Sequence, residues 1–139
     1  METGLRQRVS DLSREQALHS GYKFSIHSSL NPERYYAELS RSRVAVDCFG
    51  GGEMNFRRFE ILAFGTCLLA EKSSIIYPVP FIHGKHLFEF STVAEFKCLL
   101  DYLLENPCVA EEVGNNGRDL LSQRYTPNKI AEYLLEMSL

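Results

Sequence analysis

Three consecutive glycines, Gly50 to Gly52, follow an apolar stretch at residues 44–49 and precede a helical pattern. Glycine lets a ligand approach the backbone closely, and the free N–H groups at a helix start attract an anion. Arg57 or Arg58 could add charge-assisted hydrogen bonds to that anion. These residues are typical of a phosphate site. Because the run is not the GxGxxG fingerprint, the alternative is a tight strand-to-helix turn with solvent-facing arginines.

Two glutamates of the same helical segment bear on this site in opposite ways. Glu53 places a negative charge at the helix start, where it repels a phosphate unless it points away or pairs with Arg57. Glu60 follows among apolar residues, where burying an unpaired carboxylate is costly. It could accept hydrogen bonds from the vicinal hydroxyls of a ribose, which hints at a sugar nucleotide. It could equally pair with Arg57, three residues earlier on the same helix face.

A third polar group, residues 83–86, contains His83 and His86 around a glycine and a lysine. A metal would need neutral histidines that converge with further ligands, and we expect none. The segment is predicted to be an exposed loop, or a loop that reaches over a ligand pocket. Since neither GxSxG nor GxxxxGK[ST] is present, the sequence identifies no catalytic residue.

Composition predicts a single domain, residues 1–139, with 45% hydrophobic and 24% charged residues. The net charge of −3 provides no bulk attraction to nucleic acid or to an anionic membrane. No apolar stretch approaches the roughly 20 residues of a transmembrane helix, and no apolar signal region follows Met1. The four cysteines form no CxxC pair, and three lie in apolar runs: Cys48, Cys67 and Cys98. We therefore expect a reduced, cytoplasmic protein.

Strands that alternate with helices predict an α/β fold with a mainly parallel, Rossmann-like sheet and a helical tail over residues 92–139. The predicted strands are 22–27, 44–49, 67–70 and 87–90. The predicted helices are 5–20, 31–42, 53–64, 92–106, 109–124 and 127–137. Asn31 should cap the second helix, and Thr92 with Glu95 should form a capping box. The glycine run then lies at the carboxyl end of a strand, where open α/β sheets bind ligands.

Several side chains are assigned to the core or to weak points of helices by their spacing. Leu5, Val9, Leu12 and Leu18 are possible core contacts of the first helix, and Tyr35-Tyr36 should pack in the core. Gly114 and Gly117 should weaken the helix that contains them.

Three segments resemble the C-terminal, donor-binding half of glycosyltransferases with the GT-B fold, in the branch that includes spore-maturation-type transferases. Residues 32–45 are similar to the family's PxxYYxxLsxSrvAl stretch, and residues 51–66 to its GxxxxRxxEalaxGt. Residues 95–126 resemble the family's tail, with an asparagine-glycine-arginine near the middle and arginine-tyrosine-threonine at the end. The resemblance covers roughly Gly21 to the end of the chain.

The resemblance implies half of a GT-B fold, which binds a nucleotide sugar such as a UDP- or GDP-sugar without a metal. The complete enzyme would transfer the glycosyl group to an acceptor that the sequence does not disclose. By this resemblance Glu60 binds the ribose, Arg57 and the glycines lie near the diphosphate, and the segment 84–87 borders the donor pocket. The implied nucleotide-sugar site comprises Gly51, Gly52, Arg57, Glu60, His86 and Leu87.

The chain departs from this family in two ways. It resembles one of the two domains that form the active-site cleft, and strands that precede the matched region are missing, which should leave exposed sheet edges. Glu53 and Glu60 are seven residues apart, whereas many relatives have two glutamates eight apart. We therefore expect the isolated chain to transfer no sugar and to need an N-terminal domain or partner chain. The alternatives are a non-catalytic nucleotide-binding module and an interaction module derived from such a domain.

Overall fold

A computed structural model describes residues 3–19, 21–22, 31–49, 56–77 and 79–128, together with 131 and 135. Its helices are α1 Thr3–His19, α2 Pro32–Arg41, α3 Phe56–Ala63, α4 Val93–Glu105 and α5 Pro107–Arg124. Its strands are β1 Val44–Asp47, β2 Cys67–Glu71 and β3 Phe88–Phe90. The glycine run, the helix start at Glu53, nearly all of the strand predicted at 22–27 and most of the helix predicted at 127–137 lie outside the described residues.

The three strands form a parallel sheet in the order β1-β2-β3. Val44 pairs with Cys67, and Leu69 pairs with Phe88. With helices packed on this sheet, the predicted α/β, Rossmann-like class is confirmed. Because the strands are parallel, Asp47 and Glu71, the last residues of β1 and β2, lie at one carboxyl edge of the sheet.

Alternate residues of the strands face two separate layers of helices, so the core has two halves. The residues of β2 are buried throughout, as expected for a strand covered on both faces. One half joins the sheet to α1, α4 and the start of α5: Leu5, Val9, Cys67, Leu69, Phe88, Phe90, Phe96, Leu100, Leu103, Ala110 and Val113. The other half joins it to α2 and α3: Leu39, Ile61, Leu62, Leu68, Ala70 and Leu87.

Two predicted helix starts are confirmed by their hydrogen bonds. The side chain of Asn31 accepts from the N–H of Arg34 at 2.9 Å and caps α2. Thr92 and Glu95 form the reciprocal capping box at the start of α4. The residues of each cap are close in sequence, and this is why the sequence pattern alone indicates them.

Two side chains predicted in the core, Leu18 and Tyr36, are exposed, and so is Cys98, which lies in an apolar run. Leu18 is 81% exposed because it lies about 240° around α1 from Leu12, away from the buried stripe. Tyr36 is 42% exposed, since the neighbouring Tyr35 is the one that packs against the core. Cys98 is exposed because it lies between Phe96 and Leu100 on the far side of α4.

α5 begins two residues earlier than predicted and runs unbroken through its two glycines. Both glycines are buried where the helix passes close to backbone at the start of β2 and before β3. Gly114 lies against Gly65 and Cys67, and Gly117 lies against the carbonyl of His86. The missing side chains permit this close approach, so the expectation that they weaken the helix omitted their packing role.

Among the described helices, none combines the length and the apolar character needed to cross a membrane.

Candidate functional site

A buried ion pair lies at the carboxyl edge of the sheet. Asp47 ends β1 and is 1% exposed, and Arg58 of α3 is 2% exposed. Nε of Arg58 lies 3.4 Å from Oδ2 of Asp47, and a terminal guanidinium nitrogen donates to the carbonyl of Glu71 at 2.9 Å. One arginine thus connects the ends of β1 and β2. The alternative of two solvent-facing arginines is wrong for Arg58, whereas Arg57 is exposed.

A second buried carboxylate, Glu71, fixes the chain where it leaves β1. Its Oε1 accepts a hydrogen bond from the N–H of Phe49 at 3.0 Å. Burial, together with the carboxylates of Glu71 and Asp47, raises the pKa of Cys48 to about 12. The thiol of Cys48 therefore stays protonated at neutral pH, the form that is the poorer nucleophile.

Glu60 lies half-buried on α3, close to Tyr36 of α2. The negative charge of Glu60, close to the Tyr36 hydroxyl, raises the pKa of Tyr36. The Tyr36 ring also stacks on Phe64, with 5.6 Å between centroids and 22° between planes. Glu60 is therefore close to Tyr36 of α2, and no ion pair of the described side chains joins it to Arg57, the structural partner considered from the sequence.

Tyr35 lies near both the Asp47–Arg58 ion pair and Glu60. Its ring packs against the core half formed with α2 and α3, and its hydroxyl is buried. Burial raises the pKa of Tyr35, as do the charges of Glu60 and Asp47, while Arg57 lowers it. The tyrosine thus lies within the electrostatic reach of all three groups. Two predicted residues, Arg57 and Glu60, are therefore gathered near the end of β1.

The segment before β3 is a tight turn held by both of its histidines. Nδ1 of His86 accepts from the N–H of Ile82 at 3.0 Å, and Nδ1 of His83 accepts from the N–H of Glu89 at 2.9 Å. Gly84 adopts a φ of +84°, which glycine tolerates readily. In the part of the chain that the structure describes, no group of three or more His, Cys, Asp or Glu side chains is placed to hold a metal.

A family model described as glycosyl transferase-like matches residues 6–136, nearly the whole chain. The chain belongs to this family. The match includes α1, which the resemblance seen in the sequence did not cover. No curated protein and no solved structure matches the chain.

The predicted site residues of this glycosyl transferase-like domain fall into three groups. Arg57 and Glu60 lie on α3 near Tyr35, while Gly51 and Gly52 lie outside the described residues. His86 and Leu87 precede β3, at the opposite end of the sheet from the Asp47 carboxylate. Their assignment to a common ligand site stays a prediction.

Two polar residues of the glycosyl transferase-like domain, Asp47 and Tyr35, were not among the predicted site residues. A signal for Asp47 is present in the sequence, since an aspartate ends the otherwise apolar strand β1. A charged side chain there needs a buried partner or a ligand. Tyr35 has no comparable signal, because a tyrosine beside a second tyrosine on a helix is compatible with ordinary packing.

The pH dependence of stability tests the histidine turn. Burial of His86, with a smaller effect of Lys85, lowers the pKa of His86 below its usual value. The unfolded chain therefore binds more protons as the pH falls through about 6.5. The contribution of His86 to the free energy of unfolding should therefore be complete above that pH. It should be lost as the pH falls towards the lower pKa of His86 in the folded protein.

The variant His86→Asn should flatten this dependence, because its amide oxygen can replace Nδ1 as the acceptor without titrating. Urea unfolding at about pH 7.5 and about pH 5 measures the difference, across the range where histidine ordinarily titrates. His83→Asn, at the exposed histidine of the same turn, is the matched control. An equal pH dependence in wild type and His86→Asn would contradict the prediction.

Proposed function

We propose that this glycosyl transferase-like domain binds the nucleotide-sugar donor of a glycosyl transfer reaction, at the carboxyl edge of its sheet. The observation that carries the proposal is the position of Arg57 and Glu60. Because α3 follows β1, its first turns lie beside the carboxyl end of β1, where α/β sheets bind ligands. Family membership supports the same conclusion.

The charges near this edge divide into structural and available groups. Arg58 is engaged by Asp47 and by the Glu71 carbonyl, so it contributes to the fold. Arg57 is exposed on the first turn of α3, and we assign it to the diphosphate. The positive end of the helix dipole favours an anion at the same place.

Glu60 is assigned to the ribose of the donor. A carboxylate has several acceptor positions, so it can stay close to Tyr36 while accepting from a vicinal diol. Arg57 and the helix start would stabilise the departing diphosphate during transfer. In this proposal the acceptor and any catalytic base belong to a second domain or partner chain.

Calorimetric titration with UDP, GDP, UDP-glucose and GDP-mannose tests donor binding. Glu60→Ala should weaken the binding of a nucleotide about tenfold to a hundredfold, the range for hydrogen bonds to a charged group. Glu112→Ala, which removes an exposed carboxylate of α5, is the matched control and should bind as wild type. An absence of binding, or binding unaffected by Glu60→Ala, would contradict the proposal and favour an interaction module. A turnover assay with the same donors should detect no transfer by the isolated chain.

A further inference from the structure

Two buried oxygen atoms near the end of β1 have no hydrogen-bond partner within the described part of the chain. They are the hydroxyl of Tyr35 and Oδ1 of Asp47. The helix α2, the end of β1 and the helix α3 meet here. We call this region the Tyr35 corner, and it comprises Tyr35, Asp47, Arg57 and Glu60. Arg57, Glu60 and Asp47 are the charged groups that act on the Tyr35 hydroxyl.

Part of the corner already has a partner within the fold, since Oδ2 of Asp47 accepts from Arg58. Arg57 is exposed, and Glu60 is half-buried near Tyr36. Within the described part of the chain, the buried polar atoms without a partner here are one donor, the Tyr35 hydroxyl, and one acceptor, Oδ1 of Asp47. Burial raises the pKa of Tyr35, so this hydroxyl keeps its proton at neutral pH.

A buried polar atom without a partner is unfavourable, and native proteins retain few of them. Two such atoms beside the ion pair at the carboxyl edge therefore call for a functional explanation. A hydroxyl group is the chemical complement of this pair, since it accepts one hydrogen bond and donates another.

We propose that the Tyr35 corner is a subsite for a hydroxyl group of the bound ligand, with Tyr35 donating to that hydroxyl and Oδ1 of Asp47 accepting from it. The inference rests on the proposed function, because a nucleotide sugar carries hydroxyls both on its ribose and on its transferred sugar. Both protein oxygens are shielded from solvent. Binding therefore requires a local opening of the corner, which should slow association.

The variant Tyr35→Phe tests the subsite, because stability and binding should change in opposite directions. Without ligand, the variant loses a buried hydroxyl that has no partner, so its melting temperature should equal or exceed that of wild type. With UDP-glucose or GDP-mannose, whichever wild type binds, its affinity should fall about tenfold, which corresponds to about 1.4 kcal/mol. Tyr102→Phe, on an exposed tyrosine of α4, is the control for loss of a hydroxyl and should change neither property.

The choice of titrant separates the two sources of the hydroxyl. An equal loss of affinity for the free nucleoside diphosphate and for its sugar ester would assign the subsite to the ribose. A loss confined to the sugar ester would assign it to the transferred sugar. Wild-type affinity in Tyr35→Phe, alongside weak binding by Glu60→Ala, would overturn the subsite and leave the proposed function standing. If wild type binds none of the four titrants, both proposals fail.

Discussion

Arg58→Met should lower the free energy of unfolding by about 3–5 kcal/mol, the range observed when one partner of a buried ion pair is removed. Methionine fills much of the same space, so the loss arises mainly from the charge. Asp47 would keep a carboxylate that is 1% exposed without its cation, and the Glu71 carbonyl would lose a donor. Because the chain contains no tryptophan, urea unfolding is best followed by far-ultraviolet circular dichroism.

Arg57→Met provides the matched control on the same helix. Its side chain is exposed, so its removal should change the free energy of unfolding by no more than about 0.5 kcal/mol. Adding Asp47→Leu to Arg58→Met should restore much of the loss, since an apolar pair can replace a buried ion pair. The explanation fails if Arg58→Met unfolds at the same urea concentration as Arg57→Met.

The same contrast matters for the interpretation of binding experiments. Under the proposed function, substitution of either arginine would weaken ligand binding, but for different reasons. An Arg58 variant would lose it through damage to the ends of β1 and β2, whereas an Arg57 variant would lose it with the fold intact. Stability measurements on both are therefore needed before a charge is assigned to the diphosphate.

Those parts of the fold that depend on local sequence could be predicted. The cap at Asn31 and the capping box at Thr92 involve residues three positions apart, and the alternation of strands and helices follows from hydrophobic spacing. The position of α5 against the sheet depends on residues far apart in the chain. From the sequence alone, the presence of Gly114 and Gly117 in a helix therefore suggested a weak helix rather than a close contact with the sheet.

For the candidate site, the sequence indicated residue types but gave less information on the partners of those residues. Arg57 and Glu60 share a helix face, so the sequence could pair them; the contact of Glu60 with Tyr36 joins two helices and required the structure. Asp47 and Arg58 are eleven residues apart on a strand and a helix, and their pairing depends on the packing of α3 against β1. Local patterns therefore indicated two residues that the fold brings near the end of β1, Arg57 and Glu60, but few of their contacts.

Gly114→Ala should destabilise the protein although alanine is the better helix former. The intrinsic preference favours alanine over glycine by about 1 kcal/mol inside a helix. At position 114, however, an added Cβ would overlap the carbonyl oxygen of Gly65 and lie 3.0 Å from the backbone nitrogen of Cys67. Backbone atoms cannot rotate away as a side chain does, so α5 must shift from the sheet. We expect a net loss of roughly 2–3 kcal/mol, at the upper end of the usual range for overpacking.

Gly4→Ala is the matched control, because Gly4 lies in the first turn of α1 and a Cβ there would have no atom within 4 Å. This substitution should leave stability unchanged or raise it by up to about 1 kcal/mol. Gly117→Ala should resemble Gly114→Ala, since its Cβ would lie 2.6 Å from the His86 carbonyl oxygen. Urea midpoints of the three variants decide the question. If all three rise together, helix preference dominates and the close packing of α5 is wrong; a fall for the two α5 variants alone means that the glycines set the distance between α5 and the sheet.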